Sequence, residues 1–320
     1  STLLASSAAS DVYKRQPNPM GKLYRNKDNQ DKKSRLVGNL YAELHLFDGL
    51  MFKTSFGVDY NNLYRRSFSP KYDELNASEK LSSLSNRNAW NFNWVFTNTL
   101  TYNKTFGDHT INALLGMESL RNRYEYFTAS RDGFPSDDPN FRFLDAGDVG
   151  TQKNSGAATE YSMVSYFGKL DYNYHDRYLV AFTLRRDGSS RLGNNKWGNF
   201  PAMSVGWNVS NEHFMEGVAF LSTLKVRAGF GITGSLPNEA YSSLSRLASG
   251  NNFLTNGSSW IPTLQPESNA NPDLKWEKKE EWNLGFDYGF FNERLSGSID
   301  LYQRTTRDMV WEYNLSLIHI

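Results

Sequence analysis

The 320-residue chain carries a formal net charge of +1 and no cysteine. Near-neutrality leaves no electrostatic footprint for nucleic acid, and the missing thiols exclude a disulfide scaffold or a cysteine-based metal site. Its mean hydropathy of -0.61, with no run near the ~18 apolar residues of a spanning helix, excludes a helical membrane protein but not one crossing with strands of ~9–11 residues, apolar only at alternate positions.

Aromatic residues make up 15% of the chain, a composition that suits strands and interfacial girdles. The ends read differently from the middle. Asp11–Gln16 can be encoded by gat gtg tat aag aga cag, whose reverse complement translates as Leu-Ser-Leu-Ile-His-Ile, the sequence of Leu315–Ile320. This is the signature of a transposase adapter read through as coding sequence. The sequence therefore predicts a leader over 1–16, a barrel segment over 17–314 and an adapter-derived tail over 315–320. Amplifying the locus with flanking primers tests this, and genuine codons for both hexapeptides would refute it.

From Leu36 onward the chain alternates tight turns with long polar loops. In the first hairpin Leu36, Leu40, Leu44 and Leu46 share a face opposite Val37, Asn39, Tyr41 and Glu43. After Asp48-Gly49, a strong hairpin signal, Leu50, Phe52, Phe56, Val58 and Tyr60 alternate with Lys53, Ser55 and Asp59. A long loop is predicted over Asn61–Ala89. The second pair has Phe92, Trp94, Phe96, Leu100 and Tyr102, then, past Thr105–Asp108, Ile111, Ala113, Leu115 and Met117. A second long loop follows over Thr128–Thr159. The third pair has Val164, Tyr166, Leu170 and Tyr172, then Tyr178, Val180, Phe182 and Leu184 past His175-Asp176-Arg177. Beyond a loop over Gly188–Asn199, the fourth pair has Met203, Val205 and Trp207, then Leu224, Val226, Ala228 and Phe230, with a helical turn predicted around Glu212–Glu216. The longest loop is predicted over Gly234–Lys278. The last pair has Trp282, Leu284, Phe286, Tyr288 and Phe290, then Leu295, Ile299 and Leu301 past Asn292-Glu293-Arg294.

Roughly ten strands in hairpins, with every long loop at one end, match an outer-membrane β-barrel with short periplasmic turns and long extracellular loops. The opposite faces carry Lys53, Asp59, Lys169, Arg185, Lys225, Arg227 and Asp287. These charges suit a wet lumen as well as the solvated side of a soluble sheet. Aromatics beside the tight turns, such as Phe47, Phe106, Tyr174 and Phe290, are expected to form a girdle.

Specific motifs follow in order. Leu184–Arg191 contains Arg186, Asp187, Gly188, Ser189, Ser190 and Arg191; Lys196–Ala202 precedes Ser204–Trp207, which holds Gly206 and Trp207. Leu224–Arg227 leads to Gly231–Gly234, and Asn271–Glu277 contains Pro272, Leu274, Trp276 and Glu277. Asn283–Asp287 and Arg294–Tyr302 complete the series. This series resembles the SusC/RagA family of TonB-linked outer-membrane transporters, typical of the Bacteroidota. Its one departure is Ser235, where the family usually has Asn after the Thr-Gly pair; that puts a local loop contact in doubt.

The resemblance implies an all-β fold, an antiparallel transmembrane barrel of about 22 strands closed by a plug, of which this chain is an incomplete arc. It implies multi-pass residence in the outer membrane and uptake of a large nutrient, usually an oligosaccharide and sometimes a peptide. It also implies a SusD-like surface lipoprotein as partner, contact with outer-membrane lipid, and drive from TonB–ExbB–ExbD through an N-terminal segment this sequence lacks. No enzyme activity, cofactor or nucleic-acid partner is expected. A non-transporting barrel such as an adhesin, and a soluble all-β carbohydrate-binding protein, stay open on sequence alone.

The motif residues read as structural: Asp187–Ser190 is strong turn chemistry in which Asp187 can pair with either arginine, Pro272 fixes a turn, and Trp276 is expected near the outer interface. Trp197, Phe253 and Trp260, placed in long loops rich in Asn, Ser and Gly, are the candidates for stacking on a ligand. Asp137, Asp138, Asp145 and Asp148 fit no ordered calcium loop. His45, His109, His175 and His213 show no zinc or catalytic spacing.

Overall fold

The computed structural model describes residues 19–74, 77–218, 220–249, 253–255, 259–261 and 263–311. Both adapter-like ends fall outside these. A short helix α1 (Pro19–Arg25) precedes the strands β1 (Gln30–Phe47), β2 (Leu50–Ser69), β3 (Tyr72–Glu74), β4 (Ala77–Glu79), β5 (Ser83–Phe106), β6 (His109–Asp132), β7 (Lys153–Tyr174), β8 (Tyr178–Ser189), β9 (Trp197–Asn208) and β10 (Leu221–Ser235). Then come β11 (Arg246–Ser249), β12 (Phe253–Thr255), β13 (Ser259–Ile261), β14 (Leu264–Ser268), β15 (Glu277–Phe290) and β16 (Leu295–Arg307).

The principal sheet has ten strands in the order β1-β2-β5-β6-β7-β8-β9-β10-β15-β16, an antiparallel meander with β1 and β16 at its open edges. The alternation sets its register. Val226 lies between Trp207 and Phe286, and Arg227 between Gly206 and Gly285, so apolar residues share one face across strands and charged residues the other. Membership of the expected fold class is therefore confirmed, as an incomplete wall.

The strands outrun the sequence expectation. β2 continues to Ser69, β5 starts at Ser83, β6 runs to Asp132 and β7 starts at Lys153, all within stretches expected to be loop. β5 and β6 have 24 residues each, a contour of roughly 80 Å at 3.3 Å per residue, against the ~30 Å of a hydrocarbon core. Beyond these apolar runs Asn, Arg and Ser interrupt the pattern, leaving only scattered apolar residues such as Phe68 and Leu84. Alternation then disappears from the sequence while backbone pairing continues.

Two compact units are distinguishable. Among the described residues, the first comprises those within 19–38, 58–93 and 122–160. Its core is Phe68, Leu84 and Phe134, on which Leu144 and Ala146 pack, with Phe68 and Phe134 edge-to-face at 5.5 Å. The connection from β6 to β7 folds as three 3-10 turns. Asp138 accepts from Asn140 N at 2.8 Å and Asp148 from Gly150 N at 2.9 Å, so these aspartates cap turns. Arg142 bridges the loop to the strands, lying 4.5 Å over the Phe68 ring and 3.1 Å from Asp28.

The second unit comprises the described residues within 39–57, 94–121 and 161–311, and contains the tight turns. Gly49 turns the first hairpin at φ +84°, and its open α-carbon side faces the Asn103 carbonyl so closely that no Cβ fits. His175 (φ 55°) and Asp176 (φ 52°) make the left-handed turn before β8, with Asn173 Oδ1 accepting from Asp176 N. Neighbouring turns are tied together: His175 N donates to Asp108 O and Phe291 N to Phe220 O. The connection from β9 to β10 holds 3-10 turns at Val209–Asn211 and His213–Met215, near the expected helical turn. Rings gather here, with Tyr174 stacked on Tyr178 and Phe220 on Phe290. The insertion between β10 and β15 contains the small sheets β11-β14 and β12-β13.

Candidate functional site

In the second unit the polar face is a continuous surface. Ala181, Ser204, Gly206 and Gly229 form a floor of small residues under a depression of about 470 Å³ rimmed by Asp171, Lys225, Arg227 and Asn283. Arg227 donates from both Nε and Nη2 to Asp287, at 2.8 and 2.9 Å, and lies 3.2 Å from Asp300. Arg304 Nε donates to Glu281 at 2.7 Å. On the strands before them, Arg185 Nε donates to Asp187 at 2.8 Å and Arg185 Nη2 to Ser165 Oγ at 2.9 Å, with Glu118 3.6 Å away. Such pairing lets charges of both signs lie on one face without net repulsion, leaving guanidinium and carboxylate edges for a polar solute.

The polar face of the first unit differs in chemistry. Asn122 Nδ2 donates to Asn91 Oδ1 at 2.7 Å and also to Asn93 Oδ1. Arg87 donates to the Tyr124 hydroxyl at 3.1 Å and lies 3.9 Å over the Tyr126 ring. Amides and phenol rings here offer neutral hydrogen bonding and stacking surface. The spacing of Asn91, Asn93 and Asn122 is visible in sequence, but their convergence needs the register.

The motif residues fall into distinct groups. Asp187 and Ser189 are buried, and the acid pairs with Arg185, one residue before the two arginines considered from sequence. Ser189 Oγ accepts from Arg191 N, and Ser190 Oγ from Ser162 N at 2.9 Å. Arg191 donates to Pro237 O at 3.0 Å and lies 4.0 Å over Tyr161. Leu192, Phe200 and Trp276 form a buried cluster joined by Leu274. Asn194 N donates to Pro272 O, Leu274 N to Asn271 O, and Trp276 Nε1 to Lys196 O at 3.0 Å. Glu277 accepts from Val310 N. Trp276 is 5% exposed and bolts the loop after β8 to the segment before β15, because its ring fits over Gly198 and Gly234.

The expectation that Trp197 lies in a loop is corrected. It opens β9 opposite Gly188, not in a loop, and on the apolar face. Its ring lies over Gly188 and stacks on Tyr166 at 6.2 Å. Phe253 begins β12 and is exposed, paired with Ile261. The side chain of Trp260 lies outside the described residues. Among the described residues no group of three metal-ligating side chains occurs.

Gly206 lies on the polar face beside Leu179 and Lys225, while Trp207 Nε1 donates to Glu212 at 3.0 Å. Glu212 sits outside the strands. The Tyr178 hydroxyl, donating at 2.7 Å, and then Trp207 hold its carboxyl below the usual range against a smaller opposing effect of burial, with Arg177 adding to the lowering. A lowered folded-state pKa contributes stability above the unfolded value of 4.5 that is lost as pH falls through the folded value. Thermal unfolding of the wild type should therefore drop more steeply than that of Glu212→Gln between about pH 5 and pH 3. Parallel pH profiles would sink the idea.

Comparison with known proteins places this geometry. The sequence pattern of the family described as TonB dependent receptor-like, beta-barrel matches residues 3–310. TonB-dependent receptor P39 of Formosa agariphila is 34% identical over 274 residues, covering 85% of this chain and 26% of that protein. TonB-dependent receptor SusC of Bacteroides thetaiotaomicron is 40% identical over 167 residues, covering 51% of this chain and 17% of that protein. A solved RagAB peptide transporter superimposes with a TM-score of 0.83 at 27% identity, over 93% of this chain and 32% of that one. The chain thus spans about a third or less of these relatives.

Proposed function

Because the chain belongs to the TonB-dependent receptor-like β-barrel family, with SusC and RagAB among its relatives, we propose that it is part of the wall of an outer-membrane importer for an oligomeric polar solute. The observation that carries this reading is the two-faced meander, apolar along one side and charged along the other through successive strands. The apolar face, with Phe230 and Trp282 rings 4.5 Å apart and Leu284, Leu301 and Val205 exposed, meets lipid. The polar face borders the passage. Tight turns lie on the periplasmic side and the long connections outside, where a SusD-like lipoprotein would cover the mouth, and TonB would supply the drive through another part of the protein.

The cargo we favour is an oligosaccharide. The amides of Asn91, Asn93 and Asn122 and the rings of Tyr124 and Tyr126 suit hydroxyl groups and sugar faces. A peptide is the second reading, favoured by the paired charges around Arg185 and Arg227 and by the cargo named for RagAB. The chain supplies contacts and no covalent step.

The test is uptake of fluorescent oligosaccharide and peptide pools by cells carrying the intact gene, with and without tonB. TonB-dependent accumulation of the sugar pool is expected. Accumulation of peptides alone would replace the cargo, and extraction of the protein without detergent would overturn the reading altogether.

A further inference from the structure

On the apolar face of β6, β7 and β8 lies a groove of about 730 Å³. Leu115, Leu170, Phe182 and Leu184 line it, and Arg186 stands at one end. It passes over Gly168, where an added Cβ would come within 3.2 Å of Leu115 Cδ2, so the missing side chain gives the groove its depth. Arg186 is one step beyond the apolar run Tyr178, Val180, Phe182 and Leu184 on the same face, about 7 Å past Leu184. Its guanidinium lies 5.1 Å over the Trp197 ring, which stacks on Tyr166. Among the described residues no carboxylate pairs with it, although Arg185, its neighbour on the opposite face, has Asp187 and Glu118. An exposed cation steadied by an aromatic column, at the mouth of a chain-width apolar groove, presents charge complementary to an anion carrying hydrocarbon.

We propose that this groove is a binding site for a phosphate-bearing lipid of the leaflet on the long-loop side, with an acyl chain over Gly168 and the phosphate on Arg186. The site rests on the reading of the apolar face as membrane-facing. A guanidinium–phosphate contact is charge-assisted and bidentate in geometry, which distinguishes this lipid from neutral neighbours that fill the groove by contact alone.

The experiment is native mass spectrometry of the intact, detergent-solubilised protein titrated with phosphatidic acid, with diacylglycerol of the same chains, which has no phosphate, and with inorganic phosphate. The wild type should retain one phosphatidic acid about tenfold more strongly than diacylglycerol. Arg186→Gln should abolish that preference without changing diacylglycerol retention, and Gly168→Leu should weaken both lipids by filling the groove. Equal retention by wild type and Arg186→Gln would overturn the site, as would inorganic phosphate binding with no lipid preference. Should Gly168→Leu fail to fold, the Arg186→Gln comparison decides alone. A protein that leaves cells without detergent would instead remove the membrane reading beneath the proposal, a failure visible before any lipid is added.

Discussion

Trp276→Ala is expected to destabilise the long-loop end of the second unit by about 3–5 kcal/mol. The ring is buried between Leu192 and Phe200 and meets Phe200 edge-on at 5.2 Å. Truncation removes these contacts and one of the two hydrogen bonds to the Lys196 carbonyl, which keeps the Ser189 amide as donor. The loss should be local, because strand pairing elsewhere does not depend on this ring. Hydrogen exchange should show amides of 190–196 and 271–276 opening about a hundredfold more often or beyond, while β15 and β16 keep their protection. Trp276→Phe should recover most of the loss, since it keeps the packing and gives up the hydrogen bond. Unchanged exchange in 190–196 after Trp276→Ala would show that something else fastens the two segments.

Leu284→Arg is expected to cost about 2–4 kcal/mol on insertion into a bilayer, the penalty for a cation on the lipid face near mid-depth. Leu284 lies between Ala228 and Leu301 on the apolar face. Asn283→Arg, one residue earlier and between Gly229 and Tyr302 on the polar face, should cost far less, because that face is wet. Equilibrium refolding of the intact protein into vesicles at increasing urea measures both. Equal costs would mean that neither face is in hydrocarbon, and would return the sheet to the class of ordinary soluble walls. The pair is informative because one step along the strand reverses the environment.

The hairpins were legible because half-buried strands write a period of two into the chain and the tight turns punctuate it. Phe182 and Arg185 could be assigned to opposite faces before any coordinates. What lay beyond the apolar band was not legible. Residues 61–69 and 83–91 continue as strand in β2 and β5, but their apolar residues, such as Phe68 and Leu84, are scattered among Asn, Arg and Ser and show no steady alternation to read. Asn, Ser and Gly around Trp197 read as loop, yet its partner is Gly188, and a large ring over a glycine leaves no local pattern. The cluster of Leu192, Phe200 and Trp276 joins residues more than seventy positions apart in sequence, and the Arg227–Asp287 pair crosses the insertion between β10 and β15. Each depends on a register that the long insertion hides. Family resemblance gave the setting of these motifs, and the coordinates gave their partners.

The meander also decides where this chain tolerates changes of length. In the last hairpin Phe290 faces Leu295 and Lys278 faces Arg307, so each pair is counted outward from the turn. Removing one residue from the turn at 291–294 would shift every later position of β16 by one, sending Ile299 and Leu301 to the wet side and Asp300 to the apolar one. Adding residues beyond Ser189 or Ser235, at the other end, changes no pairing, and loop closure grows more costly only slowly with length. Insertions and deletions can therefore accumulate at one rim alone, so an evolving lineage can remodel the outward-facing rim while the wall beneath it stays in register.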